Sequence, residues 1–365
     1  MGWKRLLGCF IPKSEETSAR SKWVSSQTGP LTGRRVIVVS LALTLALAAA
    51  VLVSLVCGTA KISFMDVLKV FSDESQVKEA TRLIILRIRL PRIFLAGLAG
   101  FTLSLGGLVF QGLLRNPLAD PFVLGVSSGA AFGAVVGIIL GFSFGLGVPV
   151  FAFLGAVITI YLVFVISGRG MGVESSTAIL AGVIVNAFFT AVIMFFIATS
   201  SEDRLHSMLF WLYGDLSQSR ISYSVIIAPV AVAGFFLLYS FSRHLNLLAA
   251  GEESALHLGV DVQSARVVCF LVVSLMVGLA VSFTGLIGFV GLIVPHLARM
   301  IFGSDNRLLM PVSALGGALF LIAADTAART VMSPSELPVG VITAFLGAPF
   351  FIYLLKARGS RWARR

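Results

Sequence analysis

Residues 89–134 read RLPRIFLAGLAGFTLSLGGLVFQGLLRNPLADPFVLGVSSGAAFGA, and this stretch decides how the rest of the chain can fold. An uncharged apolar run from Ile93 to Leu114 is followed by a polar turn, Arg115–Pro121, and then by a second apolar run. About 20 apolar residues in helical form cross the hydrocarbon core of a bilayer. Each proline of the turn lacks an N–H and restrains the residue before it. We therefore predict two membrane helices joined by a tight corner, with RLPR as a hinge before the first.

The first of these runs is rich in glycine. Lipid supplies little hydrophobic force between helices, so close backbone approach and packing must hold them together. A helix with so many small residues is predicted to lie deep in a helix bundle rather than at the lipid surface. The glycines concerned are Gly97, Gly100, Gly106, Gly107 and Gly112.

The composition of the whole chain agrees with a membrane protein. Its 365 residues are 57% hydrophobic and only 12% charged, and the mean hydropathy is +0.98. Soluble domains carry about 25% charged residues, and a barrel strand needs only about 10 residues to cross. These apolar runs are much longer, which predicts an all-α polytopic membrane protein. The net charge of +11 lies in loops and tails, where it sets orientation, so we expect no nucleic acid partner.

We predict ten transmembrane helices, an even number that places both termini on the same side. With the termini inside, the inner segments carry 18 of the 28 Lys and Arg residues, which predicts cytoplasmic termini and a multi-pass protein of the cell (inner) membrane. Residues 1–34 form a basic, cytoplasmic tail that is predicted to be disordered, and residues 358–365 form a second basic, cytoplasmic tail. The predicted spans are 36–57, 93–114, 121–140, 149–168, 175–199, 221–242, 267–284, 286–302, 308–331 and 337–355.

No pattern of a soluble enzyme is visible in the sequence. The chain has no Gly-Lys dipeptide, so it cannot form the phosphate-binding loop of an ATPase. Its four histidines and three cysteines show no metal-ligand spacing, so we expect neither a metal site nor a cofactor, and no catalytic residue. Asp325, with Arg329 four residues later, is the clearest intramembrane carboxylate, and it is interpreted as half of a local ion pair. The lack of a buried proton relay argues against an ion-driven carrier.

Two kinds of polar feature remain as candidate functional sites. The predicted inner loop 243–266 resembles two short amphipathic helices around Gly251, closed by Gly259. It suits a docking site for a partner, or alternatively a connector that lies on the membrane. Gln111 and Asn186 lie within predicted spans, where each can line a pathway or bond a neighbouring helix.

Five ordered motifs resemble the iron-chelate and vitamin B12 permease family of ABC importers (the FecCD type), over roughly residues 36–356. This resemblance implies the permease fold of an ABC type II importer, with ten transmembrane helices in a permease domain of residues 35–357. The motifs are RLPR (89–92), LLRNPLADPFVLGVSSGA (113–130), LLAAGEESALHLGV (247–260), GLIGFVGLIVPHLAR (285–299) and ELPVGVITAFLGAPFF (336–351).

The resemblance also implies partners and roles. The chain is expected to pair with a second copy in membrane lipid, to bind two ABC ATPase subunits, and to receive a metal chelate from an extracytoplasmic substrate-binding protein. The resemblance implies that Arg89 and Arg329 dock the binding protein and that Asn186 lies by the translocation path, for which Gln111 is a second candidate because it is a polar residue within a span. The coupling helices, about 243–266, would contact the ATPase through Leu248, Ala249, Gly251, Glu252, Ala255, Leu258 and Gly259.

Two alternatives stay open from the sequence. The first is a secondary transporter or a channel of similar topology that is not coupled to an ATPase. The second concerns the cargo, because permeases for iron-siderophores, haem and cobalamin share these motifs.

Overall fold

The computed structural model describes residues 31–72, 77–122, 125–167 and 175–362, and every regular element in these ranges is a helix. The predicted tail 1–34 lies outside them except for its last four residues, as do the last three residues of the chain. The helices are α1 (Gly33–Val56), α2 (Phe64–Ser72), α3 (Glu79–Leu113), α4 (Val126–Ile139), α5 (Gly147–Ser167), α6 (Ser175–Thr199), α7 (Glu202–Leu212), α8 (Ile221–Ser240), α9 (Ser242–Ala250), α10 (Glu252–His257), α11 (Val262–Thr284), α12 (Val290–Phe302), α13 (Asn306–Thr330) and α14 (Val339–Trp362).

Seven of the described helices are long and apolar enough to cross a membrane, namely α1, α3, α5, α6, α8, α11 and α13. Three shorter apolar helices, α4, α12 and the part of α14 from Val339 to Leu354, occupy the positions of the other three predicted spans. The all-α membrane fold is confirmed, whereas the count of ten spans stays a prediction.

The hinge predicted at the RLPR motif is wrong. Helix α3 begins at Glu79 and continues through Pro91, after a π-helical turn over Ile84–Arg89. In that turn the N–H of Leu90 donates to the carbonyl of Ile85, five residues earlier. A π-bulge is one of the local adjustments by which a helix departs from its regular ladder. Proline here therefore does not end the helix.

Two further helices, α2 and α7, were not predicted because both are short and lie between apolar spans. Helix α2 buries Val67 and Val70 on one face. Helix α7 buries Met208 and Trp211 and packs against α4. Both helices return the chain to the bundle and do not cross it.

Glycine contacts hold α3 in the centre of the bundle, as predicted from its composition. A Cβ atom added at Gly100 would overlap the carbonyl of Gly317 in α13, and one added at Gly107 would overlap the carbonyl of Gly291 in α12. Most side chains of α3 from Ile93 onward are buried. Small residues thus let three backbones meet where lipid offers no hydrophobic force.

The glycine contact between α3 and α12 gives a matched pair of substitutions. Gly107→Ala is expected to lower the free energy of unfolding by about 1–3 kcal/mol, because an added methyl group overlaps backbone that cannot move aside. Gly112→Ala, in the same helix, meets its nearest side-chain atom at 3.8 Å and is expected to be neutral or to stabilise by about 0.4–1 kcal/mol. Thermal unfolding of the detergent-solubilised protein measures both. Equal midpoints for the two variants would contradict this account of the packing.

Candidate functional site

A cavity of about 440 Å³ lies between α4, α6 and the end of α7. Its walls are mostly apolar, and its polar groups are hydroxyls and one amide, with no charged side chain among the described residues. The Ser128 hydroxyl donates to the carbonyl of Gly125 at 2.9 Å and is thereby satisfied. The lining residues are Phe122, Ser127, Ser128, Ala131, Asn186, Thr190, Ile193, Met194, Ile197, Leu212 and Leu286.

The predicted path residue Asn186 lies on this cavity. It is exposed in the single chain and lies midway along α6, two residues before the exposed Phe188. An amide that faces hydrocarbon without a partner is costly. The exposed position of Asn186 therefore indicates that this side of the cavity is covered by something other than lipid.

Gln111, the second predicted path residue, does not lie on the cavity. It is buried, with 4% of its surface exposed. Its Nε2 donates to the carbonyl of Gly291 at 2.9 Å, and its Oε1 accepts from Arg299. The structure thus uses Gln111 to bond α3 to α12, which is the helix-bonding alternative left open by the sequence.

Arg89, one of the two predicted docking residues, is buried and 3% exposed. Its guanidinium donates to the carbonyls of Leu55 and Val56, the last residues of α1, at 2.5 and 2.9 Å. It also donates to the carbonyl of Ala60 at 2.5 Å. Carbonyls at a helix C terminus lack partners within the helix, and a cation stabilises that end. Arg89 therefore caps α1.

Arg329, the other predicted docking residue, belongs to a buried ion cluster. Its Nε lies 3.1 Å from Asp325 Oδ2, and its Nη2 donates to the hydroxyl of Ser54 at 2.7 Å. The local pair predicted from Asp325 and Arg329 is present, but the same carboxylate also accepts from Arg92 Nε at 2.8 Å. Arg92 in turn bonds Glu336, just before α14.

This ion cluster ties α3, α13 and the start of α14 together at one end of the bundle. Sequence reasoning missed Arg92, although it is the second arginine of RLPR. A buried charge is tolerated when partners compensate it, and breaking such a pair is costly. In this structure both predicted docking arginines have structural roles, and their docking role stays a prediction.

The predicted coupling segment is a helix–Gly–helix unit, formed by α9 and α10. Gly251 between them has φ +140, and Gly259 after α10 has φ +78, both in the region that favours glycine. Leu248 and Ala255 are 2% and 0% exposed and anchor the unit to the bundle. Ala249 faces outward, and Leu258 is 66% exposed.

Glu252, at the start of α10, is fixed by a two-pronged ion pair. Its carboxylate oxygens accept from Arg266 Nη1 and Nη2 at 3.1 and 2.7 Å. This pair joins α10 to the first turn of α11. The same turn is capped by Asp261, whose carboxylate accepts from the Ser264 side chain and backbone, and these bonds hold the pKa of Asp261 below its ordinary value. The orientation of α10 is thus set by charge-assisted contacts.

A polar link from α9 to α13 was not predicted. Asn246 Nδ2 donates to Asp305 Oδ1 at 2.9 Å, and Asn246 Oδ1 accepts from the backbone N of Asn306 at 2.8 Å. The bonds from Arg307 and Asn246 lower the pKa of Asp305 to about 2. The Asp305 carboxylate is therefore ionised at any physiological pH. An asparagine in an amphipathic helix gives no sequence signal for such a contact.

A second cavity, of about 350 Å³, lies among α7, the start of α8 and the end of α11. Its lining includes several aromatic side chains, among them Trp211 and Tyr223, and the Tyr223 hydroxyl donates to the carbonyl of Phe144 at 2.9 Å. Within the described part of the chain, no three His, Cys, Asp or Glu side chains come together as metal ligands.

This chain is similar to curated permease proteins over most of its length. It is 45% identical over 285 residues to the cobalamin import system permease protein BtuC of Halobacterium salinarum, and the match covers 78% of this chain and 76% of that protein. It is 40% identical over 277 residues to the hemin transport system permease protein HmuU of Yersinia pestis, covering 74% and 82% of the two chains.

A solved structure has the same fold. It is described as a metal-chelate type ABC transporter in an inward-facing conformation, and it superposes with a TM-score of 0.77 at 33% identity, over 87% of this chain and 98% of that chain. Residues 45–357 match the FecCD transport family. The chain therefore belongs to the FecCD transport family, the permease subunits of ABC importers.

Proposed function

We propose that this chain is the membrane permease subunit of an ATP-driven importer of a metal chelate. It hydrolyses no ATP itself and draws its energy from two ABC ATPase subunits. The observation that carries the proposal is the coupling segment, α9 and α10. It presents Leu256 and Leu258, 56% and 66% exposed, on a base held by buried side chains. Exposed apolar side chains on a rigid, polar-rimmed unit are typical of a protein interface.

Five of the seven proposed contact residues shape or anchor the coupling segment, and two are free to contact the ATPase. Leu248 and Ala255 are buried and anchor the segment to the bundle, and Glu252 fixes the orientation of α10 through its ion pair with Arg266. Gly251 and Gly259 supply the backbone conformations for the bend and the exit. This leaves Ala249 and Leu258 to make direct contact with the ATPase.

A second copy of the permease completes the translocation cavity. The cavity beside α4 and α6 is open, and α6 exposes Asn186 and large apolar side chains such as Met194 on that side. A partner copy would cover the amide, which lipid cannot do without cost. Two half-cavities that face each other across a two-fold axis form one central pathway, and Asn186 lies beside it. The paired permease sits in membrane lipid in the cell (inner) membrane, with both termini in the cytoplasm.

The proposed cargo is a metal chelate, of the class that includes iron-siderophores, haem and cobalamin. The relatives named above carry cobalamin and hemin. The described residues of the cavity walls offer no charged ligand to a bare ion. A chelate encloses its metal and presents a large, partly apolar surface, which suits such walls.

An extracytoplasmic binding protein is proposed to deliver this cargo. Docking through Arg89 and Arg329 requires that the outer end of the bundle rearrange, because both guanidiniums are buried and bonded here. Charged side chains at such a contact steer association more than they add affinity.

The exposed leucines provide a direct test of ATPase docking. Leu258→Asp combined with Leu256→Asp is expected to reduce recovery of the ATPase with the purified permease at least about tenfold, since each change places a charge in an apolar contact. Leu140→Asp is the matched control, because Leu140 is 60% exposed but lies at the end of α4. Equal recovery of the ATPase with both variants would contradict the assignment of the interface.

The importer function itself is tested in proteoliposomes. Purified permease–ATPase complex is expected to hydrolyse ATP faster, by about five- to tenfold, when a chelate-loaded binding protein is added, since the loaded protein favours one state of the permease. Uptake is expected to require ATP and an intact ATPase. Uptake that persists without ATPase, driven by an ion gradient or by concentration alone, would favour a secondary transporter or channel.

A further inference from the structure

We propose that Asn246 is the positioning residue through which movement of the coupling segment reaches the membrane helices, by way of the first turn of α13. This inference rests on the proposed function, because an ATPase must move α9 and α10 for the link to transmit anything. It concerns one side chain outside the predicted contact residues.

The Asn246 side chain makes three hydrogen bonds with residues at the N terminus of α13. Its Nδ2 donates to Asp305 Oδ1 at 2.9 Å, and its Oδ1 accepts from Asn306 twice, from the backbone N at 2.8 Å and from Nδ2 at 2.9 Å. One donated and two accepted hydrogen bonds at a single amide fix both the distance and the rotation between the two helices. Asn246 follows the buried Leu245, so its backbone is anchored as well.

Asp305 is also the residue that caps α13. Its Oδ1, which accepts from Asn246, accepts from the backbone N of Arg307 at 3.0 Å. The first turn of α13 and the coupling helix α9 therefore share one carboxylate oxygen. A shift of α9 must therefore either move this turn or break the cap that stabilises the start of α13.

Helix α13 can carry such a movement across the membrane. Its 25 residues span about 37 Å at 1.5 Å per residue. It touches α3 at the Gly100–Gly317 contact, where the backbones meet. Near its far end Asp325 bonds Arg92 of α3. A helix that is held at both ends and packed along its length moves as one body, so α3 and α13 shift together.

The Glu252–Arg266 pair does not provide an equivalent route. It joins α10 to the start of α11, and Glu252 is 43% exposed. This pair sets the orientation of α10 against α11 and makes no bond to α13, whereas the backbone N of Asn306 ties Asn246 directly to the start of α13. The link through Asn246 is therefore the one that we expect to control coupling.

Exchange of charge between Asn246 and Asp305 tests this proposal. Asn246→Asp places two carboxylates against each other, while Asn246→Asp together with Asp305→Asn restores one donor and one acceptor with their roles exchanged. In the complex with ATPase, the single variant is expected to transport about tenfold less chelate per ATP hydrolysed, within the range of typical coupling energies. The double variant is expected to recover to within about twofold of the original chain.

Two further variants control for other causes. Arg307→Gln removes the half-exposed ion pair at the same carboxylate and is expected to leave transport per ATP nearly unchanged. Asn246→Ala removes the three hydrogen bonds without adding charge and is expected to show a smaller loss, of about threefold. It provides the same comparison if Asn246→Asp does not fold.

Hydrogen–deuterium exchange of the permease alone gives a result that does not depend on the ATPase. Asn246→Asp is expected to speed exchange in α9 and in the first turn of α13, and the double variant to reverse this. If the original chain shows no ATP-driven transport, the proposed function fails while the exchange result still decides whether Asn246 joins the helices. Normal transport per ATP in Asn246→Asp, unchanged exchange, or a double variant as impaired as the single one would each overturn the proposal.

Discussion

The structure depends on the close approach of helix backbones at glycine. In lipid there is little hydrophobic driving force for helix association. Van der Waals packing must hold the helices together, and small residues allow it by letting carbonyls and Cα atoms of neighbouring helices touch. Helix α3 meets this constraint on two sides, at α13 through Gly100 and at α12 through Gly107. Bonds from Gln111 and Arg92 then fix the register of these helices. A rigid centre of this kind allows movement at one end of the bundle to reach the other.

Two clusters that contain ionised side chains lie at opposite ends of the bundle. At one end, Asp325 forms ion pairs with Arg92 of α3 and Arg329 of α13. At the other end, the hydrogen bond between Asn246 and Asp305 joins the coupling segment to α13. Between them lies a cavity whose described walls carry no charge. This distribution suits a permease whose energy comes from a partner, because an ion-driven carrier needs its charged groups within the pathway.

From the sequence we could predict the structural features that depend on composition and on local sequence pattern. Apolar runs located the spans, and the glycines of α3 indicated its central position. Gly251 marked the bend between α9 and α10, and the structure confirms that bend. The helix through Pro91 was missed, because no local sequence pattern marks the π-turn that precedes the proline. The burial of Arg89 and the role of Asn246 were missed because their partners lie about 30 and 60 residues away.

The central claim is that the coupling segment faces the cytoplasm, where an ATPase can bind it. Labelling of an exposed cysteine tests this directly, with Ser254→Cys introduced into a chain whose Cys9, Cys57 and Cys269 are replaced by serine. Ser254 is exposed at the start of α10. We predict that a membrane-impermeant maleimide labels this cysteine in inside-out vesicles but not in intact cells. Labelling in intact cells would place the segment on the outer side and contradict the account.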